Sequence, residues 1–192
     1  MATLPEIFAS ASVLDVAGDP PDAHDERFAF LYAHHAPRIH RFLRDLLGDA
    51  ALAADATQET FARAYRQREA MRDRERAVPW LFGIARNVSL EARRARARAS
   101  RVFVSADAEG RAPASPEGDL LGREVARVVA VALEKLSEER RAMLLLRLDH
   151  DLSYEQIAAA MGCSLAKAKV EIHRAREVLR ATIEEYRRGA VR

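Results

Sequence analysis

The chain has little of what several classes of protein depend on. Among its 192 residues there is one cysteine, Cys163, so an internal disulfide is impossible and a disulfide-stabilised secreted fold is excluded. Its longest apolar stretches, such as residues 125–133, are interrupted by charge and are far too short to cross a bilayer. The first 26 residues contain no Lys or Arg, so the charged front of a secretory signal is missing. We therefore expect a cytoplasmic protein with no membrane insertion.

The sequence also lacks the residue spacings of common active sites. Its eight glycines never fall in a P-loop or dinucleotide-binding spacing. His34, His35 and His40 are close in sequence, but their offsets do not bring them to one face of a helix, which argues against a metal site. Cys163 has no base and orienting partner nearby, and we expect it to be a structural side chain in a tight turn. We expect no enzyme activity, no metal and no cofactor.

Charge is distributed unevenly along the chain. Six of the 29 acids lie in the first 26 residues, so the rest of the chain carries all 31 basic residues against 23 acids. Such a basic body suits a nucleic-acid partner, because neutralising phosphates releases counterions. Only three of the basic residues are Lys, however, and GC-rich coding produces the same bias toward Arg. Total charge therefore does not decide between the two explanations.

A cluster of arginines gives a stronger signal. Six arginines accompany a single acid, Glu91, between residues 86 and 101; they are Arg86, Arg93, Arg94, Arg96, Arg98 and Arg101. One or two cations at the end of a helix would be explained by the helix dipole. Six in one segment favour contact with phosphate over a solvated helix end.

The hydrophobic pattern predicts an all-α fold made of two small helical domains. Apolar residues recur at helical spacing, and no stretch alternates as a strand would. Residues 1–24 form an acidic tail that we expect to be disordered, and residues 102–121, rich in Ala, Ser, Pro and Gly, form a flexible linker. The domains are then residues 25–101 and residues 122–188, the second with four short helices. In the first domain, Gly48 ends one helix and Pro79 suits the first turn of another.

Residues 152–179 have the pattern of a helix-turn-helix. Ser153 and Gln156 form a predicted capping box, Gly162 ends the first helix, and Ser164 caps the second. The predicted core face of the second helix comprises Leu165, Ala168, Ile172, Ala175, Leu179 and Ile183. The opposite face carries Lys169, Val170, His173 and Arg174, with Lys167 and Arg176 beside them. Such a helix would place this second face in a major groove of DNA.

Two segments of the first domain have a clear face pattern but no partner that spacing alone identifies. Residues 55–61 place Asp55, Gln58 and Glu59 on one exposed side of a helix, beside the buried Phe61. Trp80 shares a face with two aliphatic residues further along its helix, which favours a core position over a base-stacking one.

At these segments the sequence resembles the extracytoplasmic-function sigma factors of bacterial RNA polymerase. Three motifs carry the resemblance: DATQETF at residues 55–61, WLFGIARN at residues 80–87, and LSYEQIAAAMGCS followed by HRARE within residues 152–177. They occur in the order of the family with a linker between the second and the third. The resemblance covers about residues 28–188.

The resemblance implies a function that spacing could not supply. Proteins of this family bind core RNA polymerase and direct promoter-specific initiation without catalysing a reaction themselves. By resemblance, Asp55, Gln58, Glu59 and Phe61 belong to the helix that docks on the clamp helices of the largest catalytic subunit. Arg86, Asn87, Arg93 and Arg94 would meet the minus-ten element as it opens into single strands. Lys169, Val170, His173 and Arg174 would read the minus-thirty-five element. An inhibitory anti-sigma factor is a further expected partner.

The recognition helix departs from the family pattern. The family has a run similar to Gly-Thr-Val-Lys-Ser-Arg, whereas residues 166–171 read AKAKVE. Val170 replaces a hydroxyl and can instead touch a thymine methyl group. Glu171 replaces an arginine, and we expect phosphate to repel it, so that Glu171→Arg would raise the affinity for promoter duplex and steepen its salt dependence.

Two other functions stay open at the level of sequence. A stand-alone DNA-binding regulator would use the helix-turn-helix alone, but it leaves the first domain unexplained. A sigma-like interaction module that has lost promoter reading is supported by the divergent recognition helix.

Overall fold

A computed structural model describes residues 23–68, 74–102 and 120–190. These residues form seven α-helices and no strand, which confirms the all-α prediction. The helices are α1 (Ala23–Leu47), α2 (Ala50–Arg66), α3 (Arg74–Val102), α4 (Leu120–Glu134), α5 (Glu138–Leu148), α6 (Tyr154–Met161) and α7 (Leu165–Ala190). The expected acidic tail and linker lie almost wholly outside the described residues. None of the described helices combines the length and apolarity needed to span a membrane.

Helices α1 to α3 pack on one another as an N-terminal bundle. Gly48 has a φ of 69° and ends α1, and the side chain of Asp49 caps α2 by accepting a hydrogen bond from the Leu52 amide at 3.0 Å. The core combines aliphatic and aromatic side chains: Phe28 and Phe61 are fully buried, with ring centroids 6.4 Å apart in an edge-to-face arrangement. The prediction that Gly48 separates two helices is confirmed.

The start of α3 was predicted wrongly. The helix begins at Arg74, so Pro79 lies inside it rather than in its first turn. Proline is tolerated there because the N–H that it lacks would have bonded a carbonyl in the first turn of the helix, and a single bond is lost. The helix then runs to Val102 and carries the whole arginine cluster. Trp80 is partly buried and packs against the core, as predicted.

Helices α4 to α7 form a C-terminal bundle in which α7 packs against α4, α5 and α6. Its predicted caps are confirmed. Ser153 accepts from the Gln156 amide at 3.2 Å while the Gln156 side chain accepts from the Ser153 amide at 2.9 Å, which completes the capping box. Gly162 is left-handed with a φ of 62°, and Ser164 accepts from the Lys167 amide at 3.2 Å.

Two details of this bundle differ from the prediction. Helix α7 has 26 residues, so the last helix is not short. Leu165 is 36% exposed, because it is the first residue of α7 and lies at the end of the packed face rather than within it. The next predicted core positions, Ala168, Ile172 and Ala175, are fully buried.

The two bundles also pack against each other, through α3 on α6 and α1 on α5. One continuous core cluster includes Phe42 and Phe82 from the N-terminal bundle and Met143 and Ile157 from the C-terminal bundle. The sequence contains no signal for this contact, because it joins residues far apart in the chain.

Candidate nucleic-acid and protein interfaces

The first candidate surface lies on α2. Asp55 and Gln58 are exposed, and the Glu59 side chain is 43% exposed. Phe61 is fully buried, with its ring centroid 4.7 Å from that of Tyr32. The structure thus brings three of the four predicted residues to one surface. Phe61 has no surface to offer a partner and acts by holding α2 in the bundle.

Glu59 belongs to an ion-pair network that sequence reasoning missed. Arg63 donates to Glu59 from Nε at 2.7 Å and to both carboxylate oxygens of Glu91 at 2.9 and 2.6 Å. The bonds from Arg63 hold the pKa of Glu91 below its ordinary value. The four-residue spacing of Glu59 and Arg63 was a signal for half of this network, whereas the link to Glu91 on α3 was not visible in the sequence. Arg63 therefore fixes the acidic surface of α2 relative to the basic helix α3.

The second candidate surface, on α3, divides into two parts. Asn87 and Arg94 are seven residues apart, share a face and are exposed. Arg86 and Arg93 share a neighbouring face and are only partly exposed. That face is turned toward the C-terminal bundle, where Arg93 lies 3.4 Å from Glu138.

Arg86 lies near the turn of the helix-turn-helix. Burial raises the pKa of the Cys163 thiol, and the charge of Arg86 opposes that rise. Of the other arginines in the cluster, Arg96 pairs with Asp49 at 2.8 Å and Arg98 is exposed. Arg93 and Arg96 of the cluster thus form ion pairs within the protein, whereas Arg94 and Arg98 present cations at the surface.

The third candidate surface is the outer face of α7. Val170 is 47% exposed, and the side chains of His173 and Arg174 are 73% and 57% exposed. Lys169 is exposed, with its Nζ 5.9 Å from the centroid of the Tyr154 ring. All four predicted residues therefore lie on one open face, opposite the buried Ala168 and Ile172.

Glu171 is oriented differently from the prediction. Its side chain is only 15% exposed and pairs with Arg140 of α5 at 2.5 Å and with Arg174 at 3.0 Å. Hydrogen bonding from Arg140 lowers the pKa of Glu171. The premise that this carboxylate faces phosphate is therefore wrong, because two guanidinium groups already neutralise it. An arginine at this position would meet two like charges.

The junction between the bundles centres on His150. This residue is 2% exposed, and its ring lies 4.9 Å from Phe82 and 5.8 Å from Phe42 between centroids. Arg38 and Arg41 of α1 donate to the backbone carbonyls of His150 and Asp149 at 2.7 and 2.6 Å. Burial, with the charges of Arg41 and Arg38, lowers the pKa of His150 to about 4.

Close backbone packing completes the junction. A Cβ placed on Gly83 of α3 would lie 3.1 Å from the carbonyl oxygen of Ala160 on α6. Glycine suits this close approach, because a side chain at this position would require the backbone of α6 to shift by a few tenths of an ångström or more. The two bundles therefore contact each other through the same helix, α3, that carries the second candidate surface.

The histidines near the start of the chain have other contacts. His34 stacks on Phe30 with ring centroids 3.7 Å apart, and His40 lies 3.4 Å from the Thr57 hydroxyl. In the part of the chain that the structure describes, no group of three His, Cys, Asp or Glu side chains could hold a metal ion.

Two family models match the chain. That of sigma-70 region 2 matches residues 31–99, which include the surfaces on α2 and α3. That of sigma-70 region 4 matches residues 126–179, which include the surface on α7.

Individual proteins give the same result. The chain is 36% identical over 156 residues to the ECF RNA polymerase sigma factor SigL of Mycobacterium tuberculosis, a match that covers 81% of this chain and 88% of SigL. It is 33% identical over 165 residues to the RNA polymerase sigma factor CarQ of Myxococcus xanthus, covering 85% of this chain and 93% of CarQ. Among solved structures, it is similar to the sigma factor RpoE of Bartonella quintana in complex with the anti-sigma factor NepR. That match has a TM-score of 0.66 and 25% identity, and covers 83% of this chain and 98% of RpoE.

Proposed function

Because the chain belongs to the extracytoplasmic-function sigma factors, which direct RNA polymerase to promoters, we propose that it does so through the three surfaces of α2, α3 and α7. Residues 25–101 bind core polymerase and the minus-ten element, and residues 122–188 read the minus-thirty-five element. The protein works in the cytoplasm and catalyses no reaction itself. The observation that carries the proposal is the open face of α7, where all four candidate side chains are exposed, in a helix-turn-helix whose two helices have capped N-termini.

The surface on α2 suits a partner with complementary charge. Asp55 and Gln58 present oxygen acceptors to solvent, and the Arg63 network holds Glu59 beside them. Such polar surfaces contribute orientation and specificity more than raw affinity. We assign this surface to the clamp helices of core polymerase.

The surface on α3 suits a melted minus-ten strand. Asn87 offers amide donors and acceptors to a base edge, and Arg94 offers a guanidinium that can stack on a base or bind phosphate. Both side chains are accessible. Arg86 and Arg93 lie at the junction with the C-terminal bundle and become accessible when that bundle moves away.

Reading both promoter elements requires the bundles to separate. The minus-ten and minus-thirty-five elements lie about 25 base pairs apart by definition, or roughly 85 Å of B-DNA. In the packed arrangement, α3 and α6 are in direct contact through Gly83 and Ala160. Seventeen residues, 103–119, join the two bundles, and a chain of that length can reach at most about 60 Å. The packed arrangement is therefore a form that precedes promoter engagement.

An anti-sigma factor is the natural regulatory partner. The similar structure of RpoE was solved with such a factor bound. We extend this kind of partner to the present chain, where it would act by holding the bundles in a form that cannot reach both elements.

The test is transcription from purified components. We expect the full chain, mixed with core polymerase and a library of genomic fragments, to yield run-off transcripts with defined start sites. Asp55→Ala with Gln58→Ala should weaken polymerase binding, whereas Arg94→Ala should reduce initiation with polymerase binding unchanged. Arg180→Ala, at an exposed site further along α7, is the matched control. Tight duplex binding without initiation would identify a stand-alone regulator, and polymerase binding without initiation would identify an interaction module.

A further inference from the structure

We propose that Glu171 is a positioning residue for base reading: it holds the Arg174 guanidinium in the orientation in which Arg174 meets the minus-thirty-five duplex. The inference rests on the proposed function of α7 and adds a role for an acidic side chain that faces away from the DNA. Arg140 of α5 is the anchor of this arrangement.

The geometry consists of one carboxylate between two guanidinium groups. Oε2 of Glu171 accepts from Arg140 Nε at 2.5 Å, and Oε1 accepts from Arg174 Nη1 at 3.0 Å. The Glu171 side chain is 15% exposed, whereas those of Arg140 and Arg174 are 34% and 57% exposed. The carboxylate is therefore inside the contact between α5 and α7, and one of its two partners extends toward solvent.

The bond to Glu171 leaves a useful edge of Arg174 free. Guanidinium has five N–H donors in a planar fork, and the bond to Glu171 uses Nη1. The edge formed by Nε and Nη2 remains available for the O6 and N7 acceptors of guanine, which is the bidentate pairing that arginine makes in a major groove. A long side chain held in advance at one end also loses less freedom on binding.

Arg140 makes the arrangement more than a contact within one helix. Arg174 is three residues from Glu171, and such a pair alone would be mobile and partly solvated. Arg140 lies on a different helix and fixes the other carboxylate oxygen. Because α5 and α7 pack against each other, the position of Arg174 is set by the bundle rather than by α7 alone.

This arrangement predicts that affinity and base preference change in opposite directions. Glu171→Gln leaves the charges of Arg140 and Arg174 without their shared carboxylate, so the net positive charge of this face rises by one and affinity for duplex of any sequence should rise. The same change weakens the hold on Arg174, so discrimination at the base that Arg174 reads should fall. A good bidentate contact discriminates by roughly 5- to 150-fold, since it contributes about 1–3 kcal/mol. We expect Glu171→Gln to reduce this discrimination at least threefold.

The experiment uses the full chain assembled with core polymerase and a library of duplexes with a randomised upstream segment. Bound duplexes are sequenced, and base preference is obtained at each position. Arg174→Ala should abolish preference at one or two positions, and Glu171→Gln should reduce it at the same positions only. In the double variant the preference profile should equal that of Arg174→Ala. Glu184→Gln, an equal charge change on the exposed part of α7, is the control, and thermal unfolding verifies that each variant is folded.

Each result has a distinct meaning. If the wild-type complex directs initiation but shows no base preference upstream, reading by α7 fails and the role of Glu171 fails with it. If Arg174→Ala abolishes preference and Glu171→Gln does not reduce it, the positioning role alone is overturned. A uniform reduction at all positions would show that Glu171 only maintains the fold, which also overturns the inference.

Discussion

Replacing Gly83 with valine tests the contact between the two bundles. A Cβ at this position would lie 3.1 Å from the carbonyl oxygen of Ala160 and 3.7 Å from its Cα. Both atoms belong to the backbone of α6, so neither can rotate away. Gly83 also lies in the interior of α3, where glycine costs about 1 kcal/mol relative to alanine. We expect Gly83→Val to favour the form in which the bundles are separated.

The size of the effect of Gly83→Val depends on whether it destabilises the packed form, the separated form or both. Helix α3 is helical whether or not the bundles are packed, so its helix propensity contributes equally to both states and cancels. Overpacking falls on the packed state alone and costs about 1–3 kcal/mol. The ratio of separated to packed molecules should therefore rise by roughly 5- to 150-fold. Gly83→Ala needs only a shift of a few tenths of an ångström and should have a smaller effect.

The assay is fluorescence energy transfer between one dye at the C-terminal end of α2 and one on α7. Cysteines at Gln67 and Arg180, both exposed, carry the dyes in a Cys163→Ser background. Gly83→Val should lower the transfer efficiency and speed amide hydrogen exchange in α6. Gly189→Val is the matched control, because a Cβ there would meet no atom within 4 Å. If Gly83→Val changes neither the transfer efficiency nor the amide exchange in α6, the contact between Gly83 and Ala160 does not hold the bundles together.

Three further predictions concern stability. The pKa of His150 is lowered from 6.5 to about 4 in the packed form, so the ring takes up a proton more readily once the bundles separate. Packing should therefore be independent of pH above about 6.5 and weaken by up to about 3 kcal/mol as pH falls toward 4. His150→Phe should flatten that dependence in the energy-transfer assay. Ser153→Ala removes one bond of the capping box and should lower the free energy of unfolding by about 1 kcal/mol in urea titration, with Ser153→Asp largely restoring it. Glu91→Gln breaks the fork from Arg63, but the Glu91 side chain is 54% exposed, so the loss should be at most about 1 kcal/mol and should disappear in high salt.

Local features of the fold were predictable because they depend on neighbours in sequence. The capping box joins Ser153 and Gln156, three residues apart, and the turn at Gly162 needs one residue that tolerates a positive φ. The same holds for the third candidate surface, since the helical period alone separates the buried Ala168 and Ile172 from the exposed Val170. The wrong start of α3 has a different reason: proline suits the first turn of a helix without requiring it, and the strong helix formers of residues 74–77 extend α3 upstream of Pro79.

The family could also be identified from the sequence, because each of its three motifs is a continuous segment of the chain: residues 55–61, 80–87 and 152–177. What only the tertiary structure decided is which side chains those motifs leave free. Glu171 pairs with Arg140, 31 residues away, Arg63 pairs with Glu91, 28 residues away, and Arg38 reaches the carbonyl of His150, 112 residues away. Periodicity tells which face of a helix is polar, but the crossing of helices determines which partner covers that face. The sequence therefore showed the charge of Glu171, but only the structure showed that this charge pairs with Arg140 and Arg174.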